Sequence, residues 1–180
     1  MRLLSTLLAT MAATAALATP AGAPGAVGAR LVGVDRKPAQ VESSPDLWAT
    51  INVCDTEGHP DTIGIRGSMP GLGRRSTMWM RFQVQFLKKD DGKWHNIESN
   101  ADSAWKKLGV TRTRVIESGQ NFMFLPPPDG GAHTLRGAVS FKWVIDGRIV
   151  KKLRRITEAG HRSTAGADPD GFSAALCQIS

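Results

Sequence analysis

The residues from Met78 to Leu87 alternate without a break. Met78, Met80, Phe82, Val84 and Phe86 fall on one side of an extended chain, and Trp79, Arg81, Gln83, Gln85 and Leu87 on the other. Successive side chains of a strand point to opposite faces, so this period of two predicts a strand with one face in a core and one in or near water. Most of the remaining sequence makes sense as what surrounds such a strand.

Leu135–Ile145 repeats the pattern. Leu135, Gly137, Val139, Phe141, Trp143 and Ile145 face one way, and Arg136, Ala138, Ser140, Lys142 and Val144 the other. Asp146-Gly147 is a tight hairpin signal, after which Arg148–Thr157 returns. Leu47–Cys54 alternates as well, with both faces partly apolar. Asp90-Asp91-Gly92 predicts a second hairpin, from the Met78 strand into Trp94–Ile97. Shorter strands are expected at Leu31–Val34, Thr62–Arg66, Val110–Ile116, Asn121–Leu125 and Phe172–Ile179. Lys37–Pro45 and Glu158–Gly171 read as polar loops, and Gly67–Arg75 as a mobile, basic loop. The one helical candidate is Asn100–Leu108, capped by Asn100 or Asp102. Short strands, frequent turns and at most one short helix predict an all-β protein, an antiparallel β-sandwich of the immunoglobulin-like or a related kind.

The start of the chain carries Arg2, an apolar run and then Ala16-Leu17-Ala18. A positive start, a short apolar stretch and small residues at the last and third-last positions make a secretory signal peptide over residues 1–18. The expected organisation is then a flexible segment over 19–45 and one sandwich domain over 46–180. No other stretch is apolar enough to span a membrane, so the expected localisation is secreted. Export decides how the two cysteines read. An isolated pair in an oxidising compartment predicts a disulfide between Cys54 and Cys177.

Three runs carry a resemblance covering about Leu47 to Ile179. They are Ala49–Thr56 with His59–Arg66 and Met69–Gly71, Thr157–His161, and Asp168–Cys177. Together they resemble a family of uncharacterised exported proteins of high-GC Gram-positive bacteria. The resemblance implies export and the disulfide, and it transfers no catalytic residue.

Four stretches could carry chemistry. Asp55, Glu57, His59 and Asp61 alternate within a short segment, and could hold a metal ion or form a polar turn. Glu158 and His161 are half of a catalytic base that lacks a nucleophile. The nearest approach to a nucleophile elbow is Gly171-Phe-Ser173-Ala-Ala, which lacks the last glycine and leads into a strand. Gly71-Leu-Gly73-Arg74-Arg75 could cradle an anion through backbone donors but has no Walker lysine. These readings assign no catalytic residue, no metal ligand and no cofactor.

Charge supplies the remaining signal. The chain has a formal net charge of +7, which favours acidic partners. Residues 136–162 hold eight bases (Arg136, Lys142, Arg148, Lys151, Lys152, Arg154, Arg155 and Arg162) against Asp146 and Glu158. A two-residue turn at Asp146-Gly147 would pair Phe141 with Lys152 and Val139 with Arg154. A three-residue turn would pair Trp143 with Lys151 and Val139 with Arg155. Either register turns two bases inward, so the returning strand leaves the core, contains a bulge, or is an edge guarded by inward charges. The expectation is an exported, non-catalytic binding or structural module that contacts an anionic cell-wall polymer or a protein through Trp79, Arg81, Lys151, Lys152, Arg154 and Arg155. A nucleic-acid partner is not expected, because no reader motif is present. The alternative is a secreted hydrolase or metal-binding protein that uses Asp55–Asp61 or Glu158 with His161.

Overall fold

The computed structural model describes residues 38–161 and 164–180. The expected leader, the expected strand at Leu31–Val34 and Arg162 lie outside those residues. The described elements are α1 (Pro38–Val41), β1 (Trp48–Thr56), β2 (His59–Met69), β3 (Ser76–Lys88), β4 (Lys93–Asn96), β5 (Lys106–Thr111), β6 (Ile116–Met123), β7 (His133–Ile145), β8 (Arg148–Ile156) and β9 (Cys177–Ile179). The protein is all-β, and its strands form two antiparallel sheets packed as a β-sandwich. The smaller sheet has the order β1-β2-β6. The larger is built on β4-β3-β7-β8, with β5 also on β3 and β9 also on β7.

The alternating strand is β3, and it pairs along its length with β7 from Thr77↔Val144 to Phe86↔Leu135. Met78, Met80 and Phe82 are fully buried, as are Val139, Phe141 and Trp143 opposite them. Ile51, Ile63 and Ile65 of the smaller sheet close the same core. The sheets approach each other closely at Gly137. A Cβ there would sit 2.6 Å from Thr157 Cγ2 and 2.8 Å from Ile65 Cδ1. Gly137→Ala is expected to cost about 1–3 kcal/mol by overpacking, measured as a lower denaturant midpoint. An unchanged midpoint would mean that the sheets separate freely at this point.

The disulfide is present between Cys54 and Cys177, which lie 123 residues apart. Cys54 belongs to β1 and Cys177 to β9, so the bond joins the two sheets. The expected strand Phe172–Ile179 is shorter than predicted. Only Cys177–Ile179 pairs with β7, while Ala174 bridges back to Ile51 of the other sheet.

Three segments depart from expectation for one reason, which is competition for backbone hydrogen bonds. Asn100–Leu108 is not a helix. It lies along the edge of β3, where Val84 donates to Ala101, Ser103 donates to Phe82 and Asp102 bridges Gln83. Asn100 and Ala104 take positive φ, and the chain continues as β5. Gly67–Arg75 is not a free loop. Residues 67–69 belong to β2, Gly71 donates to Arg114 and Gly73 donates to Arg112. Val110–Ile116 is not one strand. It holds the end of β5 and the start of β6, where the chain passes from the larger sheet to the smaller.

The returning strand resolves the register question with a bulge. Ile145↔Arg148 and Val144↔Ile149 follow the two-residue turn, with positive φ at Asp146 and Gly147. Pairing then shifts by one, to Trp143↔Lys151, Phe141↔Leu153 and Val139↔Arg155. Lys151 and Arg155 therefore share the core-side face of β8. The segment before β1, expected to be a polar loop, covers them. Its helical turn α1 ends on the fully buried Val41. Glu42 then pairs its carboxylate with Lys151 and accepts a hydrogen bond from Arg155 on its carbonyl oxygen.

Candidate functional site

The other face of the larger sheet looks away from the core. It carries every second residue of β3, β7 and β8 together with Trp94 and Trp105. The register places Trp79 opposite Lys142, and Lys142 opposite Lys152. The Lys142 ammonium lies 4.6 Å from the Trp79 ring centroid and 4.3 Å from that of Trp105. Lys152 stands over the outer side of the same row, 5.9 Å from Trp105. Further along β7, the Arg136 guanidinium lies 4.2 Å from the Trp94 ring. Such cation–π contacts hold both the charge and the ring in place. Arg136 also donates to Gln85, which donates to Asn96. Partial burial lowers the Arg136 pKa, and the nearby charge of Arg154 lowers it further.

Arg81 belongs to this face but is neutralised. Its guanidinium grips Asp102 through two nitrogens, with Nε donating at 2.8 Å. The Asp102 hydrogen bond raises the Arg81 pKa, and Arg81 holds the Asp102 carboxyl below the usual carboxylate range. Beside Trp105, a groove of about 340 Å³ is lined by Ser140, Lys152, Leu153 and Arg154. Lys152 and Arg154 are exposed there. The arrangement presents an aromatic ring and two free cations to a partner.

The six expected contact residues therefore divide. Trp79, Lys152 and Arg154 are on this face. Trp79 is half-buried and its indole N–H has no hydrogen-bond partner, so it is the base of the stack and not its exposed tip. Arg81 is committed to Asp102. Lys151 and Arg155 are on the opposite face, engaged by Glu42. The sequence reading missed Trp105, Trp94, Lys142 and Arg136 as members of the site. Lys142 was within reach, because it alternates onto the outer face of β7. Trp105 was not, because a segment read as a helix assigns it no place on a sheet.

The candidate chemistry is also rearranged. Among the described residues no three His, Cys, Asp or Glu side chains come together as a metal site, so Asp55, Glu57, His59 and Asp61 do not converge. Asp55 takes positive φ and accepts the Asp61 N–H, and His59 turns to Asp168. His161 stacks on Trp48 with ring centroids 4.6 Å apart, and no hydrogen bond links it to Glu158 among the described residues. Ser173 Oγ contacts the Thr50 hydroxyl at 2.7 Å and accepts the His161 backbone N–H at 2.8 Å. That hydroxyl pins a loop to β1. The Gly71 and Gly73 amides are spent on the carbonyls of Arg114 and Arg112, so these two are not free to cradle an anion.

No protein-family model and no curated protein matches the chain. Among solved structures, it is similar to a "putative beta-galactosidase from bacteroides fragilis", with TM-score 0.35 and 9% identity. The match covers 66% of this chain and 17% of that one. A likeness at that level carries no argument about activity.

Proposed function

We propose that the chain is an exported, non-catalytic binding module, and that the outer face of its larger sheet contacts an anionic polymer of the cell envelope. One observation carries this reading: Lys152 and Arg154 stand free beside Trp105, with Lys142 and Arg136 behind them, while the Asp102 carboxylate is consumed by Arg81. A polyanion gains from several cations on one face, and an aromatic ring adds a surface for stacking. The Cys54–Cys177 bond supports the extracellular part of the reading, because such bonds persist in oxidising compartments. The leader-like start of the sequence points the same way. Among the described residues no helix is long and apolar enough to cross a membrane.

The test is retention of the purified protein on immobilised teichoic acid. Binding is expected to weaken as salt rises, because screening acts within about 8 Å at physiological ionic strength. The double variant Lys152→Ala/Arg154→Ala is expected to weaken binding by about tenfold at low salt, from two exposed ion pairs. Lys151→Ala, on the opposite face, is expected to leave it unchanged. Equal losses in both variants would show that total charge is at work and that this face is not the contact.

A further inference from the structure

The smaller sheet also has an outward face, and it is not flat. Trp48 and Thr50 of β1, Ser68, Arg66 and Gly64 of β2, and Glu117, Gly119 and Asn121 of β6 share it by register, and a bulge between Ile51 and Val53 puts Asn52 beside Gly64 as well. A depression of about 580 Å³ on this face is lined by Asn52, Arg66, Gly119 and Asn121, among others. That volume falls in the range of small-molecule sites, roughly 300–1,000 Å³. Residues 165–168 and Asn121 are among those that line it.

The polar groups of this groove are positioned, and several are unused. Asn52 donates its amide to the carbonyl of Gly166 at 2.9 Å, which turns its Oδ1 toward Gly64. A Cβ on Gly64 would sit 2.8 Å from Val53 Cβ and 2.9 Å from both Asn52 Oδ1 and Asn121 Oδ1. Two amide oxygens thus converge over a residue that must lack a side chain. Arg66 lies along the floor. Its Nε is buried with no hydrogen-bond partner, and the nearest carboxylate, of Glu117, is 3.8 Å away. At the far end Asp168 accepts from the Thr56 hydroxyl and meets His59 Nδ1 at 2.9 Å. Those contacts hold the Asp168 carboxyl below the usual carboxylate range.

The charged groups among these lining residues are the Arg66 guanidinium and the Asp168 carboxylate, with the His59 imidazole against the carboxylate. A net anion would meet Asp168, and a net cation would meet Arg66. Polar groups dominate the lining, with Ile65, Ala165 and Ala167 as its apolar side chains, and the groove runs out to β6 at the edge of the smaller sheet. What remains is a neutral ligand rich in adjacent donors and acceptors. Vicinal hydroxyls match planar amide, guanidinium and carboxylate groups, each of which offers two atoms in one plane. We infer that this groove is a binding site for a neutral saccharide, with Asn52, Asn121, Arg66 and Asp168 as its hydrogen-bonding residues. It lies on the opposite side of the sandwich from the cationic face, and it does not depend on that face binding anything.

The test is amide-shift titration of the full-length protein with chitobiose, cellobiose and maltose. At least one of them is expected to give saturable shifts confined to the amides around residues 52, 64, 121 and 166. Asn121 is exposed, so Asn121→Ala is expected to leave the thermal midpoint unchanged and weaken binding by about tenfold, the loss of one good hydrogen bond. Gly64→Ala, whose methyl would press on the Asn52 and Asn121 amides, is expected to displace them and weaken binding. If Gly64→Ala fails to fold, Asn121→Ala still decides. The inference is overturned if none of the three sugars shifts these amides, if only acidic sugars such as glucuronate do so, or if Asn121→Ala binds as tightly as the parent.

Discussion

Removing the Cys54–Cys177 bond is expected to lower the thermal midpoint by about 10–20 °C. The bond spans 123 residues. In the chain-entropy picture, opening so long a loop in the unfolded state costs about 5 kcal/mol of stability. For a chain of this size each kcal/mol moves the midpoint by about 2–4 °C. The location adds to the expectation. Cys54 is on the smaller sheet and Cys177, which is 2% exposed, begins β9 on the larger. β9 is only three residues long, so its own ladder contributes little to holding it. The double variant Cys54→Ala/Cys177→Ala, compared by calorimetry with the oxidised and the reduced parent, checks this. A midpoint within a degree or two of the parent would show that packing alone holds the two sheets together.

Trp143→Ala is expected to cost about 3–5 kcal/mol. Trp143 is fully buried, and it is the largest such side chain. It sits at a cross-strand position opposite Met78, with the Phe141 ring 6.4 Å away. Its indole N–H donates to the Pro70 carbonyl at 2.9 Å, which is the bond that seats the Gly67–Arg75 segment on the core. Truncation leaves a cavity and also strands a buried carbonyl. Trp143→Phe separates the two effects: it keeps most of the volume and loses the hydrogen bond, at about 1–3 kcal/mol. Urea denaturation followed by far-ultraviolet circular dichroism measures both. Equal costs for Ala and Phe would mean that the bond to Pro70 dominates and the cavity closes.

Much of the fold was legible because alternation is a local signal. In β3 and β7 the residue type reports the face through the middle of each strand, although Gln85 and Ala138 of the outer face are also buried and Phe86 and Ile145 of the inner face are only half-buried. The disulfide was legible because the chain has only two cysteines. The site was less so. The bases of β8 formed one run in sequence, yet the bulge between Trp143 and Val144 and the segment carrying Glu42 divide them between two faces. No local pattern marks where a ladder slips by one residue. The partner that makes the slip tolerable lies more than a hundred positions away.

The strand with which the reading began shows the same division. Composition and period determined that Met78–Leu87 is a strand, and that Met80, Phe82 and Val84 enter a core. They could not determine what lies beside its other face, because that depends on which segments take up its free edge. The tertiary structure gave that edge to β4, the 97–104 segment and β5, and so brought Trp105 alongside Trp79 with Lys142 between them. A strand's inward face is set by its own side chains and their aversion to water. Its outward face is set by long-range hydrogen bonding, which joins residues that no window of sequence contains.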